Sequence, residues 1–394
     1  MRGLNIPERD EDFTADPVEL FFDLAFVFAF SQLVAHLVHH PTWTGAWEAA
    51  LLFAILWLPW SWFTWSANAV PGNQRTVRAV FLVATAVTVP MAASVQTAFG
   101  SGGATFAVSG AVIMLMSIAL QLLALDRDSD TYRDAMRLAA PTAASLSLLV
   151  IGGFVEGDAR VAMWLGMVAI TLAGTAAAGG GDWIVRTGHF AERHGLILII
   201  ALGEVIVAIG ISVVEGFDEG GLTGPIRTGL FAAGAFAGLL WWSYFDRVLP
   251  ALEHKGEHTV EFRGRYARDV YTWSHAPIIA GVITAAAAVE EILLHPSDHL
   301  HVEFRWMFAI GLSLYFGGIA ISVWRAWRVI ARERLAALAV MLVLCAISGS
   351  WDAVWLLVAV DVVLLGGLIL EHLRIETHNE QAAEQLESAE TTSD

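Results

Sequence analysis

The sequence predicts an all-α fold, a polytopic integral membrane helix bundle of about twelve transmembrane helices with both termini on the cytoplasmic side. Three observations predict it. Hydrophobic residues make up 56% of the 394 and charged ones only 15%, where a soluble domain carries roughly a quarter. Apolar stretches of about 20 residues, the length that crosses roughly 30 Å of hydrocarbon as helix, recur with short polar breaks as far as residue 372. Basic residues gather in every second loop, as cytoplasmic loops that retain Lys and Arg require.

In chain order, Glu8, Asp10, Glu11, Asp12 and Asp16 precede any apolar run, the wrong charge pattern for a cleaved signal peptide, so 1–17 is a cytoplasmic N-terminal segment. Six spans follow near 18–38, 45–67, 76–99, 104–125, 133–154 and 159–178. Six more lie near 194–214, 223–245, 267–291, 303–324, 333–349 and 351–372, which divides the chain into halves 18–178 and 179–372. The loops after even-numbered spans hold Arg75 and Arg78; Arg127, Arg133 and Arg137; Arg186 and Arg193; Arg247, Lys255, Arg263, Arg265 and Arg268; and Arg325, Arg328, Arg332 and Arg334. With Arg2, Arg9 and Arg374 at the ends, that side carries 19 of the 22 basic residues, against Arg160, Arg227 and Arg305 on the other. A different span count scrambles this alternation. The spans must be helical, because lipid offers no partner to an open backbone polar group. From Glu376 on, the tail within 373–394 has no aromatic residue, valine or isoleucine and is rich in glutamate, so it is expected to be disordered.

Similar patterns return six spans apart. Trp60-Ser61-Trp62-Phe63 in span two matches Trp242-Ser243-Tyr244-Phe245 in span eight, and Arg75/Arg78 match Arg265/Arg268. This suggests a six-plus-six parallel repeat of the kind found in transporters, although aromatic and basic residues also belong at cytoplasmic helix ends.

An ionisable group at the bilayer centre costs at least about 2.5 to 3.5 kcal/mol on insertion scales, so the few present are candidates for function. Glu204 lies ten residues into span seven with apolar residues on both sides, and Asp361 sits at similar depth in span twelve. His275 precedes Pro277 by two residues, where the missing amide donor frees a carbonyl that the imidazole can bond. Contact between spans seven and nine would instead let His275 exchange a proton with Glu204. Glu19 and Asp23, four apart on one face of span one, repel each other, so one is expected to be protonated or matched with an arginine such as Arg193 or Arg78. Glu192, Arg193 and His194 form the corresponding charged start of span seven.

Histidines gather on the expected outer side, and the i, i+4 pairs His36/His40 and His295/His299 have the spacing of metal ligands on a helix, or of loop residues without a role. No metal site or cofactor is predicted. One cysteine, Cys345, excludes a disulfide framework within the chain, and the lone lysine, Lys255, sits in a charged stretch unsuited to a buried Schiff base. The net charge of −17 speaks against a nucleic-acid partner. No P-loop, Gly-x-Ser-x-Gly elbow or His-Glu-x-x-His pair is present, and Gly179-Gly180-Gly181 follows a membrane helix rather than a strand.

Four segments together carry a family resemblance: Val18-Glu19-Leu20-Phe21-Phe22-Asp23-Leu24-Ala25-Phe26-Val27-Phe28-Ala29; Glu192-Arg193-His194-Gly195-Leu196 running to Ala201-Leu202-Gly203-Glu204; Trp241-Trp242-Ser243-Tyr244-Phe245-Asp246; and the His275-Ala276-Pro277 helix. They span most of the chain, and the sequence resembles the bacterial low temperature requirement protein A (LtrA) family. Ala25 stands where a branched residue is expected. The resemblance implies a multi-helix membrane protein and strengthens Glu19, Asp23, Glu192, Arg193, Glu204 and His275 as important positions, without assigning a substrate or reaction. The leading expectation is a proton-coupled secondary transporter or channel-like protein of the inner (plasma) membrane, moving a small solute or protons. Glu204 would carry the proton, and Glu19, Asp23 and Arg193 would form an inner gate. The alternatives are a non-transporting protein of low-temperature envelope adaptation, dependent on packing glycines such as Gly203 and Gly210, and an intramembrane enzyme acting on lipid or quinone with Glu204 and His275 as acid and base.

Overall fold

The structure, a computed structural model, describes residues 13–125, 127–178, 183, 185–218, 221–259 and 263–391. Residues 1–12 and the glycines at 179–181, including the expected N-terminal charges, lie outside the described residues. The chain forms α1 (Pro17–His39), α2 (Trp43–Ala69), α3 (Arg75–Ala93), α4 (Gly103–Ala124), α5 (Asp130–Arg137), α6 (Ala139–Phe154), α7 (Asp158–Ala178), α8 (Thr187–Asp218), α9 (Gly224–Phe245) and α10 (Val248–Glu257). It continues through α11 (Arg263–Tyr266), a π-helical turn (Ala267–Trp273), α12 (Ser274–Leu294), α13 (Val302–Trp327), α14 (Arg332–Ile347) and α15 (Ala353–Thr391). Among the described residues there is no strand beyond one isolated bridge, His299 to Asp352.

Among the described residues, ten helices are long and apolar enough to cross a membrane, with Arg263–Leu294 counting as one. The other two expected spans fall on α6, which has only 16 residues, and on α9, where tryptophan, tyrosine and glycine dilute the aliphatic content. The outward faces are apolar, with Phe231 81% exposed and Val362 65%, as lipid contact allows and water does not.

Helix α12 lies at the centre, packed against α1, α2, α8, α9, α13 and α15. Its closest partner is α13, and glycine makes the approach possible. A Cβ on Gly281 would fall 2.5 Å from the Tyr315 amide nitrogen, one on Gly311 would fall 2.6 Å from that of Ala285, and one on Gly318 would fall 2.9 Å from the Ser274 carbonyl oxygen. Without a hydrophobic drive between helices in lipid, such close backbone packing is a main source of association. The expectation that Gly203 and Gly210 pack helices is corrected, since a Cβ at either meets nothing within 4 Å. Both positions leave room because their face of α8 is not closed by a neighbour.

Helix α15 does not stop at the expected boundary near residue 372 but runs on to Thr391. The continuation is rich in Glu, Gln, Ala and Leu, good helix formers that extend an existing helix without a new nucleation cost.

Gly281→Ala and Gly311→Ala are expected to destabilise the bundle by about 1–3 kcal/mol through overpacking, whereas Gly203→Ala is neutral. Thermal unfolding in detergent micelles checks the contrast, and equal midpoints for all three variants would contradict the assigned α12/α13 contact.

Candidate functional site

Helix α1 starts with a capping box: Asp16 Oδ1 accepts from the Val18 amide at 3.1 Å, and the Asp16 amide donates to Glu19 Oε1 at 3.1 Å. Arg78 on α3 donates to Asp16 Oδ2 at 2.9 Å. Asp16 lies before the membrane-spanning segment; burial pushes its carboxyl up, but the Arg78 and Val18 bonds and the Arg78 charge outweigh that and hold it below the ordinary value. The cap turns Glu19 and Asp23 to the same side, facing α8.

There they meet a second i, i+4 pair, His189 and Arg193. All four side chains are fully buried. Arg193 Nη1 and Nη2 donate to Asp23 Oδ2 and Oδ1 at 2.8 Å each, and Arg193 Nε lies 3.6 Å from Glu19 Oε2. Trp60 on α2 donates its indole N–H to Asp23 Oδ1 at 2.9 Å, so both oxygens of that carboxylate are bonded. The expected match of one carboxylate with an arginine is met by Arg193, while Arg78 serves Asp16.

His189 lies 3.0 Å from Glu19 Oε2 through Nε2 and 3.3 Å from Asn68 Nδ2 through Nδ1. The Asn68 amide is oriented by Arg186, whose backbone N–H donates to Oδ1 at 2.9 Å and whose carbonyl accepts from Nδ2 at 2.9 Å. Nδ2 therefore donates its other hydrogen to His189 Nδ1, so the imidazole proton sits on Nε2 and points at Glu19. With both carboxylates ionised and the imidazole neutral, Glu19, Asp23, His189 and Arg193 together carry one negative charge in excess.

The next residue of α8, His194, stands against α12, its ring centroid 5.0 Å from that of His275. His275 Nδ1 donates to the Val270 carbonyl at 3.0 Å, and Tyr244 donates its hydroxyl to Nε2. The bond to Val270 spans five residues, in register with the π-helical turn that precedes Pro277. Proline has no amide to give, and the Thr272 carbonyl is taken by the Trp57 indole N–H at 3.1 Å. His194 Nδ1 donates to Phe190 at 2.8 Å. Among the described residues, His194 Nε2 and the Tyr271 hydroxyl, both buried, have no hydrogen-bond partner.

The expected exchange between Glu204 and His275 is not what the fold builds. Helices α8 and α12 do touch, but the α8 residue against His275 is His194, and ten residues of helix put Glu204 about 15 Å further along the axis. Glu204 is instead buried beside Ser31 on α1, whose hydroxyl lies 3.0 and 2.9 Å from its two oxygens. Asp361 on α15 is buried, with no partner for Oδ1 among the described residues and no bond to Glu204, His275 or Asp23. Glu192 accepts from the Ala15 amide at 2.7 Å and ties the segment before α1 to α8.

The four outer histidines do not form one cluster, although the rings of His36 and His40 lie 5.0 Å apart. His36 lies 3.4 Å from Glu48, and α1 ends at His39, so His40 caps it. His295 ends α12 ahead of Pro296, which breaks the helix, so His295 and His299 lack the helical spacing expected of them.

Beside the charged network lies a cavity of about 260 Å³ between α2, α4, α6, α7 and the π-helical turn, lined by Trp57, Trp62, Trp65, Trp183, Trp273 and Arg268 among others. Its wall is linked to the network, since the Trp57 ring packs at 4.8 Å on Trp60, which holds Asp23. In the two similar segments the bonding residues stand at different positions: Trp60, the first of its four, bonds the buried carboxylate, and Tyr244, the third of its four, bonds the buried imidazole.

The family model for the bacterial low temperature requirement A protein (LtrA) matches residues 14–369. The chain belongs to the LtrA family. The matched region contains the capping box, both i, i+4 pairs, Glu204, His275 and Asp361. The uncharacterized protein RA0937 of Rhizobium meliloti (strain 1021) is 28% identical over 291 residues, covering 71% of this chain and 69% of that protein. No solved structure matches. Within this LtrA protein, sequence reasoning missed His189 and Asn68 and did not pair His194 with His275. The spacing was a usable signal, because His189 and Arg193 repeat the four-residue interval of Glu19 and Asp23 with hydrogen-bond donors in place of acceptors.

Arg193→Ala leaves two buried carboxylates beside one neutral imidazole and is expected to cost about 3–5 kcal/mol, the penalty of an uncompensated buried charge. Trp60→Phe removes one hydrogen bond to a charged group, about 1.5–3 kcal/mol. Chemical denaturation in micelles should rank the two in that order; a wild-type midpoint for Arg193→Ala would show that Arg193 does not compensate the pair.

Proposed function

We propose that this LtrA protein is a proton-coupled secondary transporter or channel-like protein of the bacterial plasma membrane, with both termini cytoplasmic and two six-helix halves, 18–178 and 179–372. The observation that carries the reading is the bonded group of Glu19, Asp23, His189 and Arg193, fully buried and one proton short of neutrality. A buried excess charge is costly, so this group favours uptake of a proton, and opening α1 from α8 would expose it to water. Through Trp60 and Trp57 the same group touches a largely apolar cavity with five tryptophans in its wall, which suits a small planar solute. Glu204, buried with Ser31 and farther along α8, serves as a second proton site, and His194 with His275 stands beside the first.

A structural role without transport has one observation in its favour, the complete hydrogen bonding of Asp23, which is what a fixed staple between α1, α2 and α8 requires.

Proteoliposomes with an entrapped pH dye, under an imposed pH gradient and a panel of small aromatic acids and amines, separate the two. Transport predicts solute-dependent proton flux above empty vesicles, reduced at least about tenfold in Glu204→Gln if that carboxylate lowers a barrier by 1.4 kcal/mol or more. Flux that is unchanged in Glu204→Gln removes that residue from the mechanism. Vesicles no more permeable than protein-free ones, with any solute of the panel, leave the structural role.

A further inference from the structure

The last turn of α10 carries His254, Glu257 and His258, all exposed, with one ligand atom from each lying within 4.8 Å of the others. The spacing i, i+3, i+4 puts the three on one helical face. Among the described residues no other group of three such side chains comes together. The outer pairs His36/His40 and His295/His299 share the four-residue spacing of His254/His258 but are joined by no third ligand at such distances among the described residues.

Two features make this more than a chance cluster of polar side chains. His258 Nδ1 donates to the His254 carbonyl at 2.7 Å, which fixes the ring and leaves Nε2 as its free nitrogen. A backbone carbonyl on the other ring nitrogen is the orienting contact that metal-bound imidazoles commonly have. The turn itself is also held in place: a Cβ on Gly256 would fall 2.2 Å from Thr187 Cγ2, so α10 packs directly on the first residue of α8.

We propose that His254, Glu257 and His258 form a binding site for one divalent first-row transition-metal ion, on the side of the molecule that carries the arginine-rich loops. Two imidazoles and one carboxylate suit zinc, cobalt or nickel, whereas magnesium and calcium prefer all-oxygen ligand sets. Three protein ligands leave a coordination position to water. Gly256, on the opposite face of α10 from the three ligands, packs on Thr187 of α8, two residues before His189, so α10 itself links the site to the helix that carries the buried network. The proposal stands on its own geometry and does not depend on transport.

The test uses the full-length protein without an affinity tag, purified in detergent, titrated with Zn²⁺ by calorimetry and with Co²⁺ by visible absorption. One saturable equivalent is expected in the wild type, undisturbed by excess Mg²⁺ or Ca²⁺. His254→Ala and His258→Ala should each weaken it at least about tenfold, the loss that even an outer contact of a metal site produces. All three side chains are exposed, so the variants should fold, and equal metal-free unfolding midpoints verify this. Zn²⁺ should raise the midpoint of the wild type and not of the His254→Ala/His258→Ala double variant. Absence of a saturable equivalent in the wild type overturns the proposal. So does a titration unchanged in the double variant, or binding lost in His36→Ala/His40→Ala instead.

Discussion

The constraint on which this structure depends is the burial of Arg193 between two carboxylates in an apolar bundle. A guanidinium and two carboxyl groups removed from water must satisfy one another, and the fold arranges three helices so that they do. Helix α1 is capped by Asp16 at the one register that turns Glu19 and Asp23 inward, α8 presents His189 and Arg193 at the matching interval, and α2 adds the Trp60 indole. Shifting any of these helices by one residue would carry its groups off the shared face, so the network sets the register of these three helices as well as holding charge.

A second arrangement depends on an absent hydrogen. Pro277 cannot donate to the preceding turn, and the helix widens into a π-helical segment. That segment places the Val270 carbonyl under His275 and offers the Thr272 carbonyl to Trp57. Trp57 thereby touches the cavity, the widened helix and Trp60 at once. The buried charges, the paired imidazoles and the cavity therefore form one connected region rather than separate features. The connection runs through aromatic side chains, which combine large contact area with a single directed donor.

Packing around this region is uneven. Helices α12 and α13 approach closely enough for glycine to be required at Gly281, Gly311 and Gly318, which makes them a rigid wall. Helix α8 has open space at Gly203 and Gly210 on either side of Glu204. These open positions lie away from the faces through which α8 packs on α1, α9 and α12.

By itself the sequence determined the fold class, the membrane environment, the location of the apolar helices and the identity of the chemically expensive residues, because each follows from local composition against the fixed cost of placing polar groups in lipid. It also determined that Glu19 and Asp23 need a cation and that Pro277 frees a carbonyl, since both are rules of spacing within one helix. Which cation and which donor answered those needs was decided only by tertiary structure. Arg193 rather than Arg78 meets Asp23, and His194 rather than Glu204 meets His275. Contacts between helices depend on rotation, tilt and depth, and a periodic apolar pattern leaves these free because lipid-facing and helix-facing positions are both apolar. The outer histidines and the α10 cluster show the same limit: His295 lost its helical spacing to Pro296, while His254, Glu257 and His258 gained theirs from a short helix outside the apolar spans.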